Sequence, residues 1–233
     1  MQNFVGTSGY SYPPWKGRFY PDKLPAAKML AFYATRFPTV EINNTFYRMP
    51  NADMLGKWSS ETPDDFRFAI KSPKRITHEK KLAAAGDEVA RLYEAGVALG
   101  SKLGPVLFQL PPFFKKDLAK LTEFLTVLPP NAKAAFEFRH ESWFSPDVFE
   151  TLRNHNAALC IAEAEDFATP LEATASWGYM RLRRQDYDDA QLASWAARIR
   201  AQPWQTNYVF LKHEDEGKGP QLAARLIELL ATP

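Results

Sequence analysis

The sequence predicts an α/β protein built as one (β/α)8, or TIM, barrel over residues 1–233. Three observations carry that prediction. Short apolar runs alternate with longer segments of helical periodicity from end to end. Eight such units fit into 233 residues with no linker and no break in composition. Five of the eight predicted strands are apolar on one face and polar or charged on the other, as expected of strands between a helix layer and a closed interior. A doubly wound open sheet is the rival, but eight regular units in this length favour closure.

Phe4 to Gly6 reads as the first strand, followed by a helix in KMLAFYATRF, where Leu30, Tyr33, Ala34 and Phe37 repeat at helical spacing. TVEIN is the second strand, and Asn51 caps the helix ADMLGKWSSET. FRFAIK is the third strand and GDEVARLYEAGVALG its helix; PVLFQL, stopped by Pro111 and Pro112, is the fourth strand and DLAKLTEFLTVL its helix. AAFEFR is the fifth strand, and SPDVFETLRNH has Ser145 as cap with Pro146 in the first helical position. AALCIAE is the sixth strand. From Ala164 to Ser176 no helical period holds, only a short TPLEA segment, so the sixth helix is expected to be short or irregular. GYMRLR is the seventh strand, QLASWAARIRAQ its helix, YVFLK the eighth strand, and Pro220 to Leu230 the closing helix.

Alternation within the strands also predicts what fills the barrel. Val40/Ile42, Phe66/Phe68/Ile70, Phe136/Phe138, Met180/Leu182 and Val209/Leu211 form the apolar face that meets the helices. The other parity then points inward: Glu41, Asn43, Arg67, Lys71, Gln109, Glu137, Arg139, Arg181, Arg183 and Lys212. Most of these lie near C-terminal strand ends, where barrel enzymes place their chemistry. Any one of these pairs reads equally well as a structural ion pair, since buried charges are normally partnered. As a set they comprise six cations against Glu41 and Glu137, an excess of positive charge even when Glu163 is added. An anionic ligand balances it most simply.

The loops beyond the strands carry Tyr10, Tyr12, Trp15, Phe46, Tyr47, Phe113, Phe114, Trp143 and Phe144. Aromatic groups at a barrel rim can stack on sugars or bases beside arginines, or simply pack the loops down. After the eighth strand, Gly217-Lys218-Gly219 precedes Pro220. Glycines before a helix N-terminus, in the loops after the last two strands, can cradle phosphate, although Asp215 and Glu216 oppose it and an ordinary turn fits too. Glu41, Glu137, Glu163, His213 and Asp215 could converge on a metal, but the neighbouring cations compete for those carboxylates. No metal and no cofactor is therefore expected. Cys160 in LCI reads as strand core. Ser8 ends the first strand, with no histidine motif to mark it as activated.

Composition bounds the rest. The hydrophobic share is 45%, the charged share 24% and the net charge +2, so any electrostatic message is local. One cysteine suggests a reducing compartment. The N-terminal MQNFVGTSGY has no signal-peptide pattern and no run reaches membrane-span length, so a cytoplasmic protein without a membrane partner is expected. The oligomeric state is left open.

The blocks FVGTSGYSYPPWKGRFYP, VEINNTFYRMP, FAIKSPKRITH, VLFQLPP, AFEFRHESWF and FLKHEDEGKGP together resemble the YecE-like family, a domain of unknown function. The resemblance spans nearly the whole chain and implies a (β/α)8 barrel. It supplies no established reaction or substrate. The matching blocks contain Ser8, Tyr10, Trp15, Glu41, Asn43, Phe46, Tyr47, Lys71, His78, Gln109, Pro111, Glu137, Arg139 and Trp143. Many members resemble FNN after the last strand, where this chain has Leu211-Lys212-His213, so no role for asparagines there is carried over.

The expectation is an enzyme that binds a small anionic, phosphate-bearing molecule, a nucleotide or sugar phosphate, at the C-terminal face. Glu41, Glu137 and Lys71 are the candidate catalytic groups. Ser8, Tyr10, Asn43, Tyr47, Gln109, Arg139, Trp143, Arg181, Arg183 and Lys212 are candidate ligand contacts, and Gly217, Lys218 and Gly219 the candidate phosphate cradle. A nucleic-acid-binding, metal-dependent phosphodiesterase or repair-type barrel and a non-enzymatic ligand-binding barrel are the alternatives. Fold alone cannot choose among them.

Overall fold

The computed structural model describes residues 1–212 and 217–231. Eight parallel strands close on themselves: β1 (Gln2–Ser8), β2 (Thr39–Ile42), β3 (Arg67–Lys71), β4 (Leu103–Gln109), β5 (Ala134–Glu137), β6 (Ala158–Ala164), β8 (Trp177–Leu182) and β9 (Thr206–Leu211). β1 pairs with both β2 and β9, and β5 pairs with β6, which completes the ring. Closure leaves no exposed strand edge, the liability of an open sheet. The helices are α1 (Met29–Ala34), α2 (Ala52–Ser60), α3 (Gly86–Gly96), α4 (Leu118–Thr126), α5 (Pro146–Asn154), α6 (Asp189–Arg200) and α7 (Lys218–Ala231).

Of the two predicted caps, Asn51 holds and Ser145 does not, since its hydroxyl donates to Asp147 and makes no side-chain hydrogen bond to the first turn of α5. Asn51 accepts the Met54 amide at the start of α2, and Asp117 accepts that of Lys120 at the start of α4. Asp188 and Gln191 form a reciprocal capping box on α6. After β6 no helix forms. The chain turns back through a two-residue strand, β7 (Phe167–Ala168), antiparallel to β6, and runs irregularly to Ser176. Pro170 and the lack of an apolar stripe remove the reasons for a helix there. The Thr174 hydroxyl satisfies the Leu159 amide and the Ala157 carbonyl instead. A single π-helical turn, Arg75–Glu79, follows β3 where no element was expected.

The parity argument holds through the sheet. Val40, Ile42, Phe68, Ile70, Phe136, Phe138, Met180, Leu182, Val209 and Leu211 are buried in the layer between strands and helices. A separate interior cluster holds Phe4, Ala69, Leu107, Ala135, Ala158, Cys160, Tyr179, Tyr208 and Phe210. Large rings from β1, β8 and β9 thus face alanines from β3, β5 and β6, an interdigitation that fills a narrow barrel. Gly6 permits the tight seam between β1 and β2, because a Cβ there would sit 2.1 Å from the Thr39 carbonyl oxygen. Through that gap the Tyr33 hydroxyl takes the Thr7 amide at 2.8 Å and donates to Thr39. No helix among the described residues is long and apolar enough to cross a membrane.

Candidate functional site

Above the apolar interior, the C-terminal strand ends bring charged side chains together. Glu41 at the end of β2 and Glu137 at the end of β5 are fully buried, and Arg181 from β8 lies between them. One guanidinium nitrogen of Arg181 donates to Glu41 Oε1 at 2.9 Å and the other to Glu137 Oε2 at 2.5 Å. Gln109 Oε1 is 3.4 Å from the nitrogen that holds Glu137. Ser8 Oγ and Tyr179 OH donate to the two oxygens of Glu41, at 2.5 and 2.6 Å, and Asn43 Nδ2 donates to Ser8 Oγ at 2.9 Å. The left-handed turn at Gly9, φ 91°, leads the chain away just past Ser8. Glu137 also accepts Arg139 Nε at 2.8 Å, with Arg183 3.6 Å away.

Burial pushes the Glu137 carboxyl up, but Arg181, then Arg139 and Arg183, pull it further down, to about 2. Burial acts likewise on Glu41, and Arg181 with the Ser8 and Tyr179 hydrogen bonds outweighs it, so this carboxyl is also lowered. Both groups are therefore carboxylates at neutral pH with no proton to give. The structural ion-pair reading thus accounts for Glu41, Glu137 and Arg181.

It does not account for Lys71. This side chain leaves the end of β3 half-buried, and its Nζ lies 4.2 Å from the centroid of Phe46. Among the described residues no carboxylate stands within ion-pair distance of it. Burial, then Arg181, lower its pKa to about 8, with Glu41 and Glu137 opposing and Arg139 assisting. His78 packs edge-on to the same Phe46 ring at 4.9 Å, and burial, followed by Lys71 and Arg139, lowers its pKa as well. Arg139 and Arg183 line a cleft of about 300 Å³ together with Glu137, Glu163, Phe167 and Pro112. A smaller hollow of about 180 Å³ lies over Gly9, Tyr10, Tyr12 and Asn43.

Other expected site residues lie elsewhere. Trp143 is a correction: it is fully buried, stacked on Phe138 at 4.5 Å, with its indole N–H donated to the Phe114 carbonyl at 2.7 Å. It packs the Phe114 loop onto β5. Arg67, counted among the inward cations, does turn inward, but it begins β3 at the opposite end of the barrel, over the Phe4 ring. Tyr47 is 77% exposed against the edge of Phe46, and Tyr10 is half-buried near Tyr33. Lys212 follows β9 and is half-buried. Gly217 is buried against Arg18 and Phe19, Gly219 is buried, and Lys218 is paired to Asp186 at 2.8 Å, so this segment adds no unmatched charge. Glu163 accepts the Trp195 indole at 3.0 Å; His213 and Asp215 lie outside the described residues. No grouping of three metal-ligating side chains occurs among the described residues.

Sequence reasoning missed Tyr179, which donates to Glu41 across the barrel. The signal was available: Tyr179 shares the inward parity of Arg181 two residues on. A larger hollow, about 390 Å³, opens at the N-terminal end between Lys133, Asn156, Trp177 and Gln205. Size does not decide here, because the two buried carboxylates and their arginines are at the other end.

Residues 4–233 match a family model described as a protein of unknown function, DUF72. Among curated relatives, the UPF0759 protein YunF of Bacillus subtilis is 34% identical over 155 residues, 63% of this chain and 54% of its own. The UPF0759 protein YecE of Escherichia coli K12 is 31% identical over 152 residues, 65% of this chain and 53% of its own. The chain thus spans about half the length of these relatives. Among solved structures, a DUF72 family protein from Thermotoga maritima superposes with a TM-score of 0.86 at 24% identity, covering 99% of both chains. Another, from Enterococcus faecalis, gives 0.80 at 18% identity, covering 100% of this chain and 98% of its own. At such identities these likenesses speak for the fold.

Proposed function

The chain belongs to the DUF72 family of proteins of unknown function, and we propose that its barrel mouth is an enzyme site for a small molecule carrying a phosphate or comparable anion. The observation that carries this reading is the charge left over at the strand ends. Among the described residues, Lys71, Arg139, Arg181 and Arg183 stand near Glu41, Glu137 and Glu163, four cations against three carboxylates. Arg181 is consumed by its two glutamates and Arg139 pairs with Glu137, which leaves Arg183 at the cleft and Lys71 beside Phe46. A bound anion completes the balance and restores what burial took from Lys71 and Arg183, whose pKa burial and Arg181 also lower. In this reading Glu41 and Glu137 orient the arginines, and Lys71 carries the proton-transfer chemistry.

Thermal denaturation with inorganic phosphate, sulfate and sugar phosphates tests it. A ligand at about 100 times its Kd adds ~2.7 kcal/mol, about 5–10 °C for a chain of this size. That shift is expected in the wild type and lost in Arg183→Ala. No response to any of these anions removes the reading.

A second reading has one observation in its favour: Phe113 and Tyr47, 67% and 77% exposed, stand at the rim, with Lys81 Nζ 5.3 Å from the Phe113 centroid. Such groups suit single-stranded nucleic acid. Titration with an oligonucleotide at two salt concentrations decides it, since phosphate contacts must weaken with salt.

A further inference from the structure

Among the described residues, the amine of Lys71 stands apart from the three arginines of the mouth. Arg181 and Arg139 are matched to carboxylates, and Arg183 stands 3.6 Å from Glu137. The two acids nearest Lys71 electrostatically, Glu41 and Glu137, already accept Ser8, Tyr179, Arg181 and Arg139. Among the described residues, what remains around its Nζ is the Phe46 ring, the like charges of Arg181 and Arg139, and His78, edge-on to that ring. The Phe46 face favours ammonium; burial and the two arginines oppose it more strongly, and the pKa falls to about 8. At about pH 7.5 roughly a quarter of such an amine is free base, against about one part in a thousand for an ordinary lysine, a gain of about two hundred-fold. A desolvated lysine beside another cation is the arrangement that makes an amine nucleophilic.

We propose that Lys71 is a nucleophile that forms an imine with an aldehyde or ketone bearing an anionic group, with Arg139 and Arg183 holding the anion. This rests on the anion-site reading above and names its substrate class. The Nζ lone pair attacks the carbonyl carbon, and the C=O π pair moves to oxygen. A proton passes from nitrogen to that oxygen to give the carbinolamine. The C–O bond then breaks, the oxygen leaves as water with the two hydrogens lost by nitrogen, and C=N forms. No oxidant or reductant takes part. His78, whose Nδ1 is engaged by the Thr77 hydroxyl at 2.9 Å, is a neutral imidazole near the amine and suited to receive its proton.

The test uses pyridoxal 5′-phosphate and unphosphorylated pyridoxal as probes. Each is incubated with the whole protein at about pH 7.5, reduced with borohydride, which adds hydride to the imine carbon, and mapped by peptide mass spectrometry. The expected result is an adduct on Lys71 at least about ten-fold faster than on any other lysine, as the amine fraction predicts. Pyridoxal 5′-phosphate should outpace pyridoxal, and inorganic phosphate should slow it. Lys71→Arg, which keeps the positive charge, should lose the fast adduct. Equal labelling of Lys71 by both probes upholds the imine and overturns the anion site. A phosphate-dependent thermal shift with adducts spread evenly over surface lysines overturns the imine and leaves the anion site standing.

Discussion

Replacing Arg181 with methionine removes the cation shared by two buried carboxylates, and the structure says which one suffers. Glu137 keeps Arg139 at 2.8 Å and Arg183 at 3.6 Å. Glu41 keeps Ser8, Tyr179 and Asn43, all neutral donors, and only the more distant charge of Lys71. The variant therefore strands one fully buried carboxylate, for which ~3–5 kcal/mol is the usual cost, and we expect about 4 kcal/mol at pH 7. For a domain of this length that is a fall in Tm of about 8–16 °C. Urea unfolding followed by tryptophan fluorescence measures it; Trp15, Trp143 and Trp177 are buried and report on packing. The loss must also depend on pH. Without Arg181, burial leaves Glu41 with a folded-state pKa above its unfolded value. The variant then gains stability as pH falls through that raised pKa, and its gap to the wild type narrows from pH 7 toward pH 5. Adding Glu41→Gln to the Arg181→Met background should recover about half the loss. A cost under about 1 kcal/mol, or a gap that does not change with pH, refutes the account of this network.

The remaining predictions concern single side chains. In the folded state Lys71 has a pKa of about 8 against 10.5 unfolded, so its ammonium form opposes folding below about pH 8, and the penalty fades as pH rises toward 10.5. Discounting the ~1.36 kcal/mol per unit for partial exposure, Lys71→Met should stabilise the protein by ~1–2 kcal/mol at pH 7 and not at pH 10.5; destabilisation at pH 7 in urea titration contradicts it. Trp143→Phe keeps the stack on Phe138 and drops the hydrogen bond to Phe114. It should cost ~1–2 kcal/mol and leave the phosphate response unchanged, whereas a lost response would return Trp143 to the site.

The family match carries a fold and no chemistry, so the residues must supply the chemistry. Parity in VEIN and GYMRLR places Glu41 and Arg181 on the interior side, and the interior is where they lie. Parity was equally informative for Tyr179, whose hydroxyl reads as another core aromatic until the acid across the barrel is seen. It misled at Arg67, because an inward residue at the start of a strand faces the opposite mouth from one at its end. For Trp143 the sequence left ligand stacking and loop packing both open, since a loop aromatic at a strand end has no period to betray which way it turns, and packing is what the structure shows.

Alternation with a period of two, interrupted by helical stretches, was by itself enough to determine a closed eight-unit barrel and the list of side chains sent into it. These are properties of neighbours along the chain. Which acid holds which base is not, for Glu41 and Arg181 are 140 residues apart and meet only when the ring closes. Only that closure decided that Arg181 would be taken by two glutamates and that, among the described residues, no carboxylate would pair with Lys71. Electrostatic pairing depends on distances of a few ångström across the barrel, and no local pattern encodes them.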